Sequence, residues 1–288
     1  MLLSDMLEFI ANSDALINEL ITQPEIIIVI GIIGGSGLYN IEGVIIHKRR
    51  KISTPYGSPS DAYVFGRFSG REVIFLPRHG SQHKIPPHRI NYRANIWGFK
   101  KFGVERIIAV GATGGIGAEM KPGTIVIPDQ IIDMTHGRES TFFDGEAGVI
   151  HIDFTKPFCP EIHAAFFRAG SNSGIKLRKT GTYVCTNGPR LETKAEIQFF
   201  SGIGGHVVGM TAMPEALLAR EAEICYAGIA IITNYAAGIK EKRLTAKEVI
   251  EIMHKTTGQL GELIKEALPL ITMQRACTCK EALKGAKV

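Results

Sequence analysis

The stretch Ile26–Tyr39, IIIVIGIIGGSGLY, limits the possible folds more than any other part of the chain. Ile26 to Ile33 is a near-continuous apolar, β-branched run. A strand covered on both faces reads this way, which predicts an α/β fold rather than a half-solvated sheet. The run ends in Gly34-Gly35-Ser36-Gly37. Glycines at a strand's end let the chain turn sharply and bring backbone N–H groups close to an anion, and Ser36 adds a hydroxyl. A tight turn with no ligand explains the same glycines. No Gly-Lys-Ser/Thr follows, so this is not a Walker loop, and the third glycine of the dinucleotide fingerprint is missing.

The 288 residues, 45% hydrophobic and 21% charged, suit one large domain. The expected architecture is a single α/β domain over 25–270, with a twisted, largely parallel mixed sheet flanked by helices. An amphipathic helical extension, 1–24, precedes it, and a polar, mobile tail, 271–288, follows. No apolar run is long enough to span a membrane. Asp5 and Glu8 stand where a signal peptide would be basic, so a cytoplasmic protein is expected. The net charge of +5 is scattered, which predicts a mixed surface and no nucleic-acid stripe. Cys159, Cys185 and Cys225 sit in apolar surroundings and read as inert core residues. Cys277-Thr-Cys279 lies in the polar tail; it could be a redox pair, and with no histidine cluster beside it no metal site is expected.

Strands over 62–68 and 72–76 are predicted to meet in a hairpin at Ser69-Gly70. The basic loop Pro77-Arg-His-Gly-Ser-Gln-His83 follows. Arg78 can fork onto a phosphate with two parallel hydrogen bonds. His79 and His83 could bind the same anion or satisfy loop carbonyls. A strand over 106–110 runs into a second glycine-rich loop, Gly111-Ala-Thr-Gly-Gly115. In open α/β sheets ligands bind beyond the carboxyl ends of strands, so two such loops matter more than one. Further strands are expected over 124–132, 180–185, 206–210 and 226–233, the last ending at Asn234. Helices are expected over 91–102, 159–169, 193–200, 214–223 and 244–267. Segment 135–150 is long and irregular, as functional loops often are. Glu192 precedes a helix, where a carboxylate also serves the helix dipole.

Four blocks resemble the trimeric purine nucleoside phosphorylase and methylthioadenosine phosphorylase family. They are Gly34-Gly-Ser-Gly37, the run from Leu76 through His83 to Gly114-Gly115-Ile116, Gly188-Pro-Arg-Leu-Glu-Thr-Lys-Ala-Glu196, and Met210-Thr-Ala-Met-Pro-Glu215. Their order and spacing are specific together. The resemblance implies cleavage of a purine nucleoside's N-glycosidic bond by inorganic phosphate, a co-substrate, with no cofactor and no metal. It implies that Ser36, Arg78, His79, Thr211 and the backbone of Ala112 hold phosphate, and that Met210 packs on the ribose. Leu191 and Glu192 match the base-binding block, and Thr233-Asn234 matches the 6-oxopurine branch, where the adenosine-type branch carries Asp-x-Asp. Ala246 falls near the family's 5′-substituent position. His151 matches a residue that reaches into a neighbour's site, which implies a homotrimer or a dimer of trimers.

The chemistry of these residues agrees with the branch. An asparagine amide can donate to O6 and to N7 of a purine. The Glu192 carboxylate only accepts, which suits the N1–H of hypoxanthine or guanine. A 6-aminopurine leaves it facing a lone pair. An oxo-type base pocket beside an apolar 5′ pocket resembles a methylthioinosine phosphorylase or a broad 6-oxopurine phosphorylase. The alternatives are a methylthioadenosine phosphorylase and a non-catalytic nucleoside-binding module. A Rossmann-type dehydrogenase is disfavoured by the incomplete fingerprint.

Overall fold

The computed structural model describes residues 29–35, 41–145, 148–241, 245–272 and 274–288. The extension 1–24 and Ser36 lie outside the described residues. In chain order the strands are β1 (Val29–Gly34), β2 (Ile45–Arg50), β3 (Tyr63–Phe68), β4 (Arg71–Pro77), β5 (Val104–Gly115), β6 (Ile125–Val126), β7 (Gln130–Asp133), β8 (Leu177–Arg178), β9 (Thr182–Cys185), β10 (Val207–Gly209) and β11 (Cys225–Tyr235). The helices are α1 (Tyr92–Lys101), α2 (Pro160–Ser173), α3 (Lys194–Gly202), α4 (Ala212–Glu221) and α5 (Ala246–Ala267).

The β-branched strands are buried on both faces, as their sequence demands. Successive residues of one strand enter different cores. Ile32 of β1, Ile108 of β5 and Ile229 of β11 meet Phe166 of α2 and Leu263 of α5. Ile33, Ile107 and Ile232, from the same three strands, meet Phe99 of α1 and Leu218 of α4. Helices therefore cover both sides of the sheet. β1 lies between β4 and β5, parallel to both, and β5 runs parallel to β11 along its other edge. β2 and β3 extend the sheet antiparallel beyond β4, while β10, β9 and β7 continue it past the end of β5.

Local chemistry sets the joins. Ser69 and Gly70 both have positive φ, 48° and 74°, which suits a tight hairpin between β3 and β4. Asn91 caps α1 by accepting from the Ala94 N–H at 3.1 Å. Gly98 of α1 is required by close approach, because a Cβ there would strike the Tyr63 phenol.

Several expectations are corrected. Gly111–Gly115 is not a loop but the end of β5, held extended by β11. The predicted strand over 124–132 is two short strands, since Pro128 between them cannot donate to a ladder. β2 was not foreseen: an edge strand with Ile45 and Ile46 exposed and Lys48, Arg49 and Arg50 following lacks the buried pattern. The tail is not mobile. Cys277, Cys279 and Ala286 are buried, Lys287 bridges to Ile150, and the Arg106 guanidinium donates to the carbonyls of Thr272 and Gln274 at 2.9 and 3.1 Å. Cys159 and Cys225, expected as separate core residues, and Cys277 and Cys279, expected in a polar tail, form one buried cluster.

Candidate active site

A cavity of about 530 Å³ opens where β1, β5 and β11 end. It is lined by Gly35, Arg78, His79, Ala112, Leu191, Glu192, Met210, Thr211 and Asn234, so residues from every block of the sequence meet there. Ser36 falls outside the described residues, next to Gly35. Ala246 is the first residue of α5; its side chain lies outside the described residues. His151 does not line the cavity. It is exposed, and its N–H donates to the Ala286 carbonyl.

The sheet makes one end of the cavity. β1 pairs with β5 only as far as Ala109, and β10 joins β5 at Gly114. Among the described residues, the β5 edge between these points has no strand across it and faces the cavity at Gly111 and Ala112. The Thr211 hydroxyl lies above Gly111, within van der Waals reach of where a Cβ would stand. Thr211 is the N-cap of α4, yet its side chain makes no capping bond.

Arg78 is built differently from the expected clamp. It is 3% exposed, and Nε and Nη2 each donate to a Glu215 oxygen at 2.7 Å. Nη1 donates to the Val110 carbonyl at 2.8 Å, and Nη2 also reaches Ile33. The two-pronged edge thus belongs to Glu215, and one Nη1 hydrogen has no partner among the described residues. The correction has a physical reason: a buried guanidinium needs a carboxylate, and Glu215, 0% exposed and also held by the Tyr226 hydroxyl, supplies it. Burial pulls the Arg78 pKa down, but the Glu215 charge overcomes this and holds it above its ordinary value.

His79 Nδ1 lies 2.8 Å from the Ile85 carbonyl. A carbonyl only accepts, so Nδ1 carries the hydrogen, and the neutral ring leaves Nε2 as an acceptor. Burial, with Arg78 and His83 nearby, pushes the His79 pKa down to about 4.

The other end of the cavity comes from two elements. The register of β11 against β5 shifts between Ile232 and Asn234, a bulge that brings both Thr233 and Asn234 to the cavity. The Asn234 amide donates to the Tyr235 carbonyl at 2.9 Å, and its oxygen accepts from Thr233 at 3.0 Å, leaving one N–H free of these bonds. Glu192 is not the helix-capping carboxylate. Thr193 and Glu196 form the capping box of α3, so Glu192 is spared and accepts from the Thr186 hydroxyl at 2.7 Å. Gly188, at φ 61°, leaves room for Met210, whose side chain a Cβ there would strike.

Three features were missed by sequence reasoning. Val249, Ile250, Met253 and His254 of α5 line the cavity, and only Ala246 had been singled out from this helix. Their helical spacing was visible, but it reads equally as ordinary core. Glu215 was legible only as part of a motif. Arg138, from the irregular segment, donates to the carbonyls of Met210, Met213, Thr186 and Asn187 and lies over the Tyr92 ring at 5.3 Å. It ties the two loops that carry Met210 and Glu192.

The chain matches the Phosphorylase superfamily over residues 29–269. It belongs to that family. It is 53% identical to a probable S-methyl-5′-thioinosine phosphorylase of Thermodesulfovibrio yellowstonii, covering 89% of this chain and 96% of that one. It is also 53% identical to the 6-oxopurine nucleoside phosphorylase of Pyrococcus furiosus, covering 89% and 98%. Its structure resembles a methylthioadenosine phosphorylase from an antarctic soil metagenomic library, with a TM-score of 0.84, 39% identity, and 92% and 93% of the two chains covered.

Proposed function

We propose that this phosphorylase cleaves 6-oxopurine nucleosides, 5′-methylthioinosine, inosine and guanosine, with inorganic phosphate, giving the free purine and the (5-methylthio)ribose 1-phosphate. The observation that carries this reading is the pairing at the base end: a spared Glu192 carboxylate and a bulge-presented Asn234 amide in one cavity. The carboxylate accepts the N1–H that only a 6-oxopurine has. The free Asn234 N–H meets N7, where negative charge collects as the bond breaks.

At the other end, the Thr211 hydroxyl, the Ala112 backbone, the remaining Arg78 N–H and Ser36 hold the phosphate. His79 Nε2 accepts the hydrogen of the phosphate dianion's P–OH, which leaves an unprotonated oxygen free to attack. Met210 supports the ribose. The phosphate attacks the anomeric carbon while the bond to the purine nitrogen breaks, so the nucleophile is a substrate, and positioning with electrostatics supplies the rate. No cofactor or metal is given a role in these steps. The apolar face of α5, with Val249, Ile250 and Met253, suits a methylthio group at the 5′ carbon.

The second reading, a methylthioadenosine phosphorylase, draws support from the name of the structural relative. Comparing kcat/KM for methylthioinosine, inosine, guanosine, methylthioadenosine and adenosine in phosphate buffer separates the two. The 6-oxo substrates are expected to lead. Preference for the amino substrates would replace this reading with the second, and absence of phosphate-dependent turnover would leave a binding module. The assignment includes a threefold homo-oligomer in the cytoplasm, with His151 serving a neighbour's cavity.

A further inference from the structure

The four cysteines converge far from the cavity. Cys159 is the N-cap of α2, Cys225 opens β11, and in the tail Cys277 caps the short 3-10 turn Thr278–Glu281 that contains Cys279. Their Sγ atoms all lie within 4.8 Å of one another, and all four residues are buried. Cys277 Sγ touches two others at once, Cys225 at 3.3 Å and Cys159 at 3.7 Å. Asn234 sits near the opposite end of β11, about 30 Å away at the usual rise of a strand.

We propose that Cys159, Cys225, Cys277 and Cys279 form a structural zinc site. A tetrahedral ion with Zn–S bonds of about 2.3 Å sets its four sulfurs about 3.8 Å apart, close to the spacing here. A disulfide joins sulfurs in pairs, whereas here one sulfur contacts two partners, as shared coordination requires. All-thiolate sites select zinc among the common divalent ions, and four protein ligands leave no open position, so the site is structural rather than catalytic.

The surroundings fit an anionic centre. Zn²⁺ with four thiolates carries two net negative charges, and the four thiol protons leave to solvent on binding. Arg106 is wholly buried beside it, with Nη1 3.9 Å from Cys225 Sγ. Its Nε is buried without a hydrogen-bond partner among the described residues, and its nearest carboxylate, Glu161, also fixes the tail by accepting from the N–H groups of Ala276 and Cys277 at 2.7 Å. Arg106 already pairs with Glu161 at 2.8 Å, and thiolate charge beside its Nη1 adds to that pairing. The ion would fasten the tail to α2 and β11.

The test uses the full chain purified under a phosphine reductant. Elemental analysis is expected to find about one zinc per chain. Cobalt exchanged into it should show the sulfur-to-cobalt charge-transfer and intense visible bands of a tetrahedral tetrathiolate. Cys277→Ser with Cys279→Ser should lose the zinc and lower Tm, with phosphorolysis at moderate temperature kept. A metal-free chain that gives no such cobalt spectrum overturns the proposal. So does a mass lower by two hydrogens for each disulfide under that reductant, or zinc retained by the double variant. Should the double variant fail to fold, the metal content and cobalt spectrum of the unaltered chain still decide.

Discussion

Arg78 spends its charge on Glu215 before any anion arrives. The pair is buried and bidentate, so removing either partner strands a buried charge, at a cost of about 3–5 kcal/mol. Arg78→Lys keeps the charge but cannot span two carboxylate oxygens and the Val110 carbonyl at once. We expect Arg78→Lys to lower kcat/KM by about 10²-fold, with the phosphate KM raised. Near-normal phosphate dependence in steady-state assays would show that the remaining Nη1 hydrogen does not meet phosphate. His79 gives a pH prediction. Its folded pKa, about 4, lies below the 6.5 of an unperturbed histidine, so the unfolded chain takes up the proton first. The stability tied to a neutral His79 is therefore full above pH 6.5 and lost progressively as pH falls to 4. The loss is about 3 kcal/mol at most. His79→Asn can still donate to Ile85 and does not titrate. Denaturant melts from pH 7.5 to 4 should show a shallower decline for the variant; parallel declines would mean that His79 is not held neutral.

Between elements, the bulge in β11 and the reach of Arg138 decide what the cavity sees. A strand of strict alternation would send Thr233 and Asn234 to opposite faces; the extra residue lets both reach the cavity. Asn234→Asp is nearly isosteric and exchanges a donor for an acceptor. Activity on inosine and methylthioinosine should fall by about 1–3 kcal/mol in transition-state terms, with a smaller gain on the 6-amino nucleosides because Glu192 still expects an N1–H. An unchanged oxo-to-amino ratio of kcat/KM would mean that Asn234 does not read the base. Arg138 contacts carbonyls on both substrate loops, so Arg138→Ala should lose about 10²-fold in kcat/KM through misplacement, and added guanidinium should restore part of it. No restoration would make Arg138 a folding residue only. These two features mark the limit of what the sequence shows. The β-branched strands and the Ser69-Gly70 turn are local signals and were legible. The bulge, the Arg78–Glu215 pair and the cysteine cluster join residues far apart in the chain, 137 positions for Arg78 and Glu215, and no local pattern encodes them. Glu192 is ambiguous in the sequence because the helix cap it could supply is supplied by Thr193 and Glu196 only in the fold.

At the scale of the whole molecule, the cavity is open at its rim, where Leu191 is 48% exposed. Segment 135–150 carries Phe142, Phe143, Val149 and Ile150, which is too apolar for a free loop. Part of that surface is satisfied within the chain: Phe142 packs on Tyr56, with ring centroids 5.3 Å apart, and its N–H donates to Glu221. Val149 remains 55% exposed, with the tail strapped beside it through Val288, and His151 stands exposed two residues on. Under the proposed threefold assembly, this exposed histidine, two residues from an exposed valine and outside its own cavity, would serve another copy. We expect sedimentation to give a trimer or a dimer of trimers. His151→Ala should leave that assembly intact and reduce kcat/KM by about 5–30-fold, the size of one lost polar contact of about 1–2 kcal/mol. Subunit mixing gives the sharper measurement. Arg78→Ala spoils the cavity of its own chain, while His151→Ala spoils that of a neighbour. Hybrids of the two variants contain some cavities with both residues intact, so mixing after mild dissociation should recover activity beyond the sum of the separate proteins. No recovery in hybrids of proven mixed composition, or a fully active monomer, would confine His151 to its own chain and end the threefold reading.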